Sequence, residues 1–321
     1  MSKQKAISQL NELGKQRAPF FFYTDFLGQQ CWVRKLGEIQ GDLRFSFPSN
    51  RDSNLKTAAQ GPITKRHPIS RKEFQNQFDK VIAEINYGNS FLVNLTAESR
   101  IESESGLNEI YEMSSAKYKL LVPDQFVVFS PETFITIAGN EIVSRPMKGT
   151  IDADIENAEE VVIKDPKELA EHITIVDLIR NDLSQIADEI EVSKFRYIEH
   201  LKTSDKNLLQ VSSEIKGRLP ADWQSEIGTL LYQLLPAGSI SGAPKPKTVE
   251  IILATETHDR GYYSGVCGLF DGKSLDSAVM IRFIEKRGNQ LYYKSGGGIT
   301  SFSKKDSEYQ ELINKIYVPI H

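Results

Sequence analysis

A lysine, two pairs of glutamates, an arginine within an apolar run and two glycine-rich segments are the residues here with chemistry to offer. Lys148 lies in Ser144-Arg145-Pro146-Met147-Lys148-Gly149-Thr150, after apolar, strand-like stretches at 133–137 and 141–143. Proline and glycine restrain the backbone around it. A lysine amine becomes a nucleophile when desolvated or set beside another cation, and Arg145 is near in sequence. The alternative is a turn lysine facing water. Glu168/Glu171 and Glu308/Glu311 each stand three residues apart on a predicted helix, so each pair projects from nearly one face. Four carboxylates converging from two helices would suit a hard divalent cation such as Mg²⁺, which keeps several waters and needs few direct ligands. The alternative is two solvated faces, with Glu168 acting only as a capping-box residue.

Residues 236–245, Pro-Ala-Gly-Ser-Ile-Ser-Gly-Ala-Pro-Lys, feed a helix that starts near Pro244. Backbone amides, hydroxyls and a helix N-terminus are suited to a carboxylate or phosphate. Ser295-Gly296-Gly297-Gly298-Ile299-Thr300 is either a flexible turn or a backbone that a ligand can approach without meeting a side chain. Neither has the spacing of a P-loop. Arg282 interrupts the apolar run 278–284, and a guanidinium on a core-bound strand calls for a buried carboxylate or an anionic ligand.

These groups need a scaffold, and the hydrophobic pattern supplies one. Short strands are expected at 19–23, 30–33 and 43–47, then a loop over 50–67. Ser70 caps a helix with Phe74, Phe78, Val81, Ile82 and Ile85 on one face. A second helix is expected over 107–117, and strands cluster between 126 and 143. Asp165-Pro166-Lys167-Glu168 starts a helix that runs to about Leu183 and buries Leu169, Ile173, Val176 and Ile179. A strand follows near 207–215, a helix at 223–235 and another after Pro244. An antiparallel meander is expected over 262–270, 277–285 and 290–295. Ser303 with Asp306 opens the last helix, which ends near Ile316. Helices and strands mix without βαβ alternation, which predicts an α+β fold. Residues 1–321 read as one domain whose front, about 1–68, is strand-rich.

With 40% hydrophobic and 26% charged residues and a net charge of -4, the chain has the make-up of a globular protein and no electrostatic footprint for nucleic acid or an anionic membrane. No apolar run approaches the roughly 18 residues of a membrane span, and the front is polar rather than a signal core, so a cytoplasmic location is expected. Cys31 and Cys267 are far apart and form no CxxC pair, so neither a disulfide framework nor a zinc site is expected.

Taken together, Ser130-Pro131-Glu132, Pro146 to Thr150, Glu171-His172, Val176-Asp177-Leu178-Ile179-Arg180-Asn181-Asp182, Pro236 to Lys245, Ser295 to Ile299 and Glu308 to Glu311 resemble, in order, the chorismate-utilising enzymes. That family includes the component I chains of anthranilate and aminodeoxychorismate synthases and the isochorismate and salicylate synthases. The resemblance covers roughly residues 70–318. It implies mixed and antiparallel sheets with flanking helices, and a dianionic substrate, chorismate. It also implies Mg²⁺ on Glu171 and Glu311, with Glu168 and Glu308 holding its waters. Arg282, Tyr263 and the amides of Gly296 and Gly298 would meet the second carboxylate, with Ser239 and Thr150 nearby. Glu132 matches the family acid, and a lysine at position 148 is typical of the aminodeoxychorismate branch, where it attacks the ring. Ammonia would come from a separate glutamine amidotransferase subunit, since neither cysteine sits on an exposed elbow. Two departures stand out. Gln210 replaces a histidine common in the family, and little is found of the front region that carries tryptophan-binding elements, so tryptophan is not expected to inhibit. Gln210 and the short front also leave open a non-catalytic chorismate-binding partner; anthranilate, isochorismate or salicylate synthesis is the other alternative.

Overall fold

Strand-forming apolar runs organise the chain into two sheets whose strand pairings are all antiparallel in this computed structural model, which describes residues 1–48, 61–202 and 207–320. The first runs Met147–Asp152, Asn207–Arg218, Glu141–Ser144, Thr133–Ala138, Leu275–Val279, Val266–Phe270, Phe20–Thr24 and Cys31–Lys35, with Asp188–Lys202 also paired to Asn207–Arg218. The second runs Gly242–Ala243, Leu92–Ser103, Gln290–Ile299, Phe283–Arg287, Phe126–Ser130, Tyr118–Val122 and Arg44–Ser46, with Ile63–His67 also on Leu92–Ser103. The expected α+β class holds.

Residue alternation along the strands builds the layers. In Phe20–Thr24, Phe21 and Tyr23 join a core with Tyr118, Leu120, Phe126 and Phe283, so the two sheets face each other there. Phe20 and Phe22 point the other way, into a larger core shared with the helices Lys3–Lys15, Arg71–Asn86, Pro166–Leu183, Ile227–Leu234 and Lys245–Thr255. Both faces of that strand are apolar because both are covered. The front strands pair into both sheets and are integral to the fold.

Capping chemistry sets the helices as expected. Ser70 Oγ accepts the amide of Glu73, and Phe74, Phe78, Val81 and Ile85 are buried beneath that helix. Asp165 accepts the amide of Glu168 with Pro166 in the first turn. A missing Asp or Ser cap typically costs about 1 kcal/mol.

Several expectations need correction. Ile173 is 49% exposed, because the buried stripe of its helix runs through Glu171, His172, Ile175, Val176, Leu178 and Ile179. The helix expected over 107–117 is Leu107–Met113, and the strand Tyr118–Val122 begins soon after. Part of the loop expected over 50–67 is the strand Ile63–His67; residues 50–60 lie outside the described part. Asp188–Lys202 was not anticipated; Ile190 and Val192 alternate with polar residues and pack against the core, but the pattern breaks where the register shifts between Val192 and Tyr197. The strand expected over 277–285 is two strands in different sheets, broken at Met280–Arg282. Ser303 does not cap the last helix, Lys305–Asn314; its Oγ accepts from the Thr300 amide instead. Among the described residues no helix is long and apolar enough to cross a membrane.

Candidate active site

The break at 280–282 carries the first site residue. Arg282 has φ +54°, an uncommon left-handed conformation for a side chain of its size. It marks where the chain leaves the first sheet and enters the second, and its carbonyl accepts the Phe129 amide at 3.1 Å. Its Nε is buried without a hydrogen-bond partner, and no carboxylate pairs with its guanidinium among the described residues. Of the two sequence readings, the anionic ligand is the better supported. Tyr263 is buried near Arg282, edge-on to Phe283, and burial pushes its hydroxyl up to about 12.

The triple glycine is a strand, not a turn: Ser295 to Ile299 pair with Ala97 to Val93. The lack of side chains has a concrete reason. A Cβ on Gly298 would stand 3.0 Å from Glu171 Oε2 and 3.3 Å from Lys148 Nζ, and one on Gly297 would stand 3.1 Å from Glu311 Oε1. One on Gly296 would meet the Leu95 carbonyl at 2.2 Å. Gly149 has φ +78° and the same relation to Glu168, 3.3 Å from Oε2. Backbone from two strands thus leaves clearance for carboxylates from two helices.

Lys148 is on Met147–Asp152, with its side chain 19% exposed and Nζ 3.5 Å from Glu171 Oε2. The turn lysine facing water is ruled out. The solvated-face reading also fails for Glu171 and Glu308, both buried. Glu132 precedes the strand Thr133–Ala138, and its Oε1 accepts a hydrogen bond from Ser239 Oγ. Burial holds its carboxyl above the usual carboxylate range, against the opposing pull of Ser239 and of the Lys148, Arg282 and Lys315 charges. Ser239 is held from behind. Lys245 pairs with Asp182 at 2.6 Å, and Arg260 donates to the carbonyls of Ile240 and Asn94. Lys245 is therefore spent on an internal ion pair rather than on a ligand. Thr150 pairs through its backbone with Gln210, which stands across from Glu199 on its other side.

Sequence reasoning missed Lys315. Its Nζ donates to Glu311 Oε1 at 2.6 Å and to the Gly296 carbonyl at 2.8 Å. The signal was the Glu311–Lys315 i,i+4 spacing, which usually marks an exposed helical pair. Here burial depresses the Lys315 pKa.

The carboxylate oxygens and glycine clearances fit a hard cation in kind. In this structure Glu171 and Glu311 are each neutralised by a lysine. Among the described residues no three acidic, histidine or cysteine side chains are grouped so as to hold one ion. Cys31 and Cys267 are free and buried, and burial raises both thiol pKa values, that of Cys31 to about 12, so neither supplies a thiolate nucleophile.

A family model for chorismate binding enzymes matches residues 4–321. The chain belongs to that family. An uncharacterised PabA-like protein of Pasteurella multocida is 48% identical over the whole of both chains. Aminodeoxychorismate synthase component 1 of Klebsiella aerogenes is 31% identical over 80% of this chain and 59% of its own. Among solved structures, the menaquinone-specific isochorismate synthase of Escherichia coli superposes with a TM-score of 0.74 over 97% of this chain and 80% of its own, at 16% identity, a likeness of fold. The family makes this chain an enzyme acting on chorismate.

The cluster behind Ser239 has a pH signature of its own. His258 lies 3.3 Å from Thr96 Oγ1 and 4.0 Å from Glu256, with Arg260, Lys294 and Asp259 around it, and burial lowers its pKa to about 4. An unfolded histidine takes a proton near pH 6.5, so between those values the unfolded state binds more protons. Stability therefore falls as pH drops from 6.5 toward 4. At pH 5 this one group costs about 2 kcal/mol relative to neutral pH. Urea unfolding at pH 7 and pH 5 should show a drop that His258→Gln reduces by about that amount; an equal drop in the variant would refute the assignment.

Proposed function

We propose that this enzyme is an aminodeoxychorismate synthase component I, making 4-amino-4-deoxychorismate from chorismate and ammonia for para-aminobenzoate and folate synthesis. The observation that carries the reading is Lys148 standing beside a buried carboxylate, with a second carboxyl, Glu132, kept toward its acid form. Protonated Glu132 gives its proton to the departing 4-hydroxyl, which leaves as water. The Lys148 amine attacks C2, and both conjugated ring double bonds shift toward C4 as the hydroxyl leaves. Ammonia then forms the C4–N bond, both double bonds shift back, and Lys148 leaves. Splitting one hard substitution into two is the general advantage of covalent catalysis. Arg282 and the glycine strand would receive the second carboxylate, with Tyr263, Ser239 and Thr150 around it.

Mg²⁺ is part of the proposal. Glu171 and Glu311 would hold it, with Glu168 and Glu308 behind, and it would orient the substrate and neutralise its charge. Because both thiols are buried, we place the ammonia source on a separate glutamine amidotransferase subunit. Incubation of the purified protein with chorismate and ammonium, with and without Mg²⁺, followed by mass spectrometry of products, tests the reading. Aminodeoxychorismate formed only with Mg²⁺ is expected. Anthranilate, isochorismate or salicylate would replace this assignment by another family reaction, and binding without turnover would leave a non-catalytic partner.

A further inference from the structure

Tyr317 lies beyond the last helix, outside every motif that pointed to the site. Its neighbours Ile316 and Val318 are buried at 0% and 7% exposure, and its carbonyl accepts the Tyr293 hydroxyl at 2.9 Å, so its backbone is pinned on both sides. The Tyr317 side chain is not core: the residue is 41% exposed. Its ring centre stands 5.2 Å from the Arg282 guanidinium carbon, within cation–π range. Arg282 is the cation with a buried, unpartnered Nε and a left-handed backbone.

We propose that Tyr317 is a positioning residue for the substrate carboxylate, acting through Arg282; this rests on the chorismate reading of the site. A guanidinium on a long side chain has many rotamers to lose on binding, and holding its plane beforehand reduces that loss. The Tyr317 ring stands beneath the guanidinium carbon and its hydroxyl bonds the guanidinium, which leaves the remaining N–H groups for a carboxylate. Lys315, two residues earlier on the same segment, reaches Glu311 and Gly296, so the chain's last turn contributes one wall of the site.

Two variants and two readouts test this. Chorismate binding is measured by calorimetry without ammonia, and kcat and KM are measured with it. Tyr317→Leu should weaken binding and raise KM about tenfold, within the range of a partly desolvated cation–π contact, while kcat falls much less. Tyr317→Phe, which keeps the ring and loses the hydroxyl bond, should restore part of the affinity. Wild-type affinity in Tyr317→Leu would overturn the proposal, as would a loss confined to kcat or a Tyr317→Phe variant as weak as Tyr317→Leu. A wild-type protein that binds no chorismate would overturn the functional reading and this inference with it.

Discussion

Replacing Lys148 with alanine should lower the rate of aminodeoxychorismate formation by at least about 10³-fold, roughly 4 kcal/mol of barrier. The alanine variant alone does not identify the cause, because Lys148 has two relations in the site. It is the proposed nucleophile, and it is also the cation 3.5 Å from Glu171, whose side chain is 6% exposed. Removing it leaves a buried carboxylate without that partner, a change that can cost about 3–5 kcal/mol of stability where a pair is fully buried. Lys148→Arg separates the two roles: arginine keeps the positive charge but stays protonated and cannot attack carbon. The arginine variant should be as inactive as the alanine variant while unfolding closer to the wild-type temperature. Activity recovered in Lys148→Arg would reduce Lys148 to a counter-ion. Intact-mass measurement after mixing enzyme and chorismate without ammonia gives a second check, an adduct present in the wild type and absent from both variants.

How well the sequence announced this arrangement depended on the range over which each signal acts. Two helices with local signals start as expected, since Ser70 and Asp165 make their capping bonds within three residues, whereas Ser303 is engaged by the Thr300 amide and caps nothing. Arg282 was legible as an oddity, an arginine in an apolar run, but not as the point where one strand ends in the first sheet and the next begins in the second. That break depends on which sheet each flank pairs with, through contacts as distant as Leu275 with Ile137 and Phe283 with Val128. The triple glycine was ambiguous for a related reason. Glycine relaxes the backbone locally, and only the tertiary structure shows that it clears space for carboxylates from helices that start near residues 166 and 305. Lys315 and Tyr317 could not be found from pattern at all. An i,i+4 Glu–Lys pair and a tyrosine near a helix end are ordinary surface features until the fold sets them beside Gly296 and Arg282.

The second large effect is expected at Glu132. Glu132→Gln should lower kcat by about 10²- to 10⁴-fold, the usual contribution of a positioned general acid, with little change in KM. The direction of its pKa shift makes the role testable by pH. Burial raises the Glu132 pKa, so the acid form persists above the normal carboxylate range and is lost as pH rises through the raised value. If the acid form drives departure of the hydroxyl, Glu132 sets an alkaline limb in the rate profile. Ser239 donates its hydroxyl hydrogen to Glu132 Oε1, a bond that favours the ionised form. Ser239→Ala should therefore move that alkaline limb to higher pH. If the working form were the carboxylate, Glu132 would set an acid limb instead, and the same substitution would move that limb upward, costing activity at low pH. A profile in which neither limb responds to Ser239→Ala would detach Glu132 from the proton transfer, leaving its buried carboxyl a structural partner of Ser239.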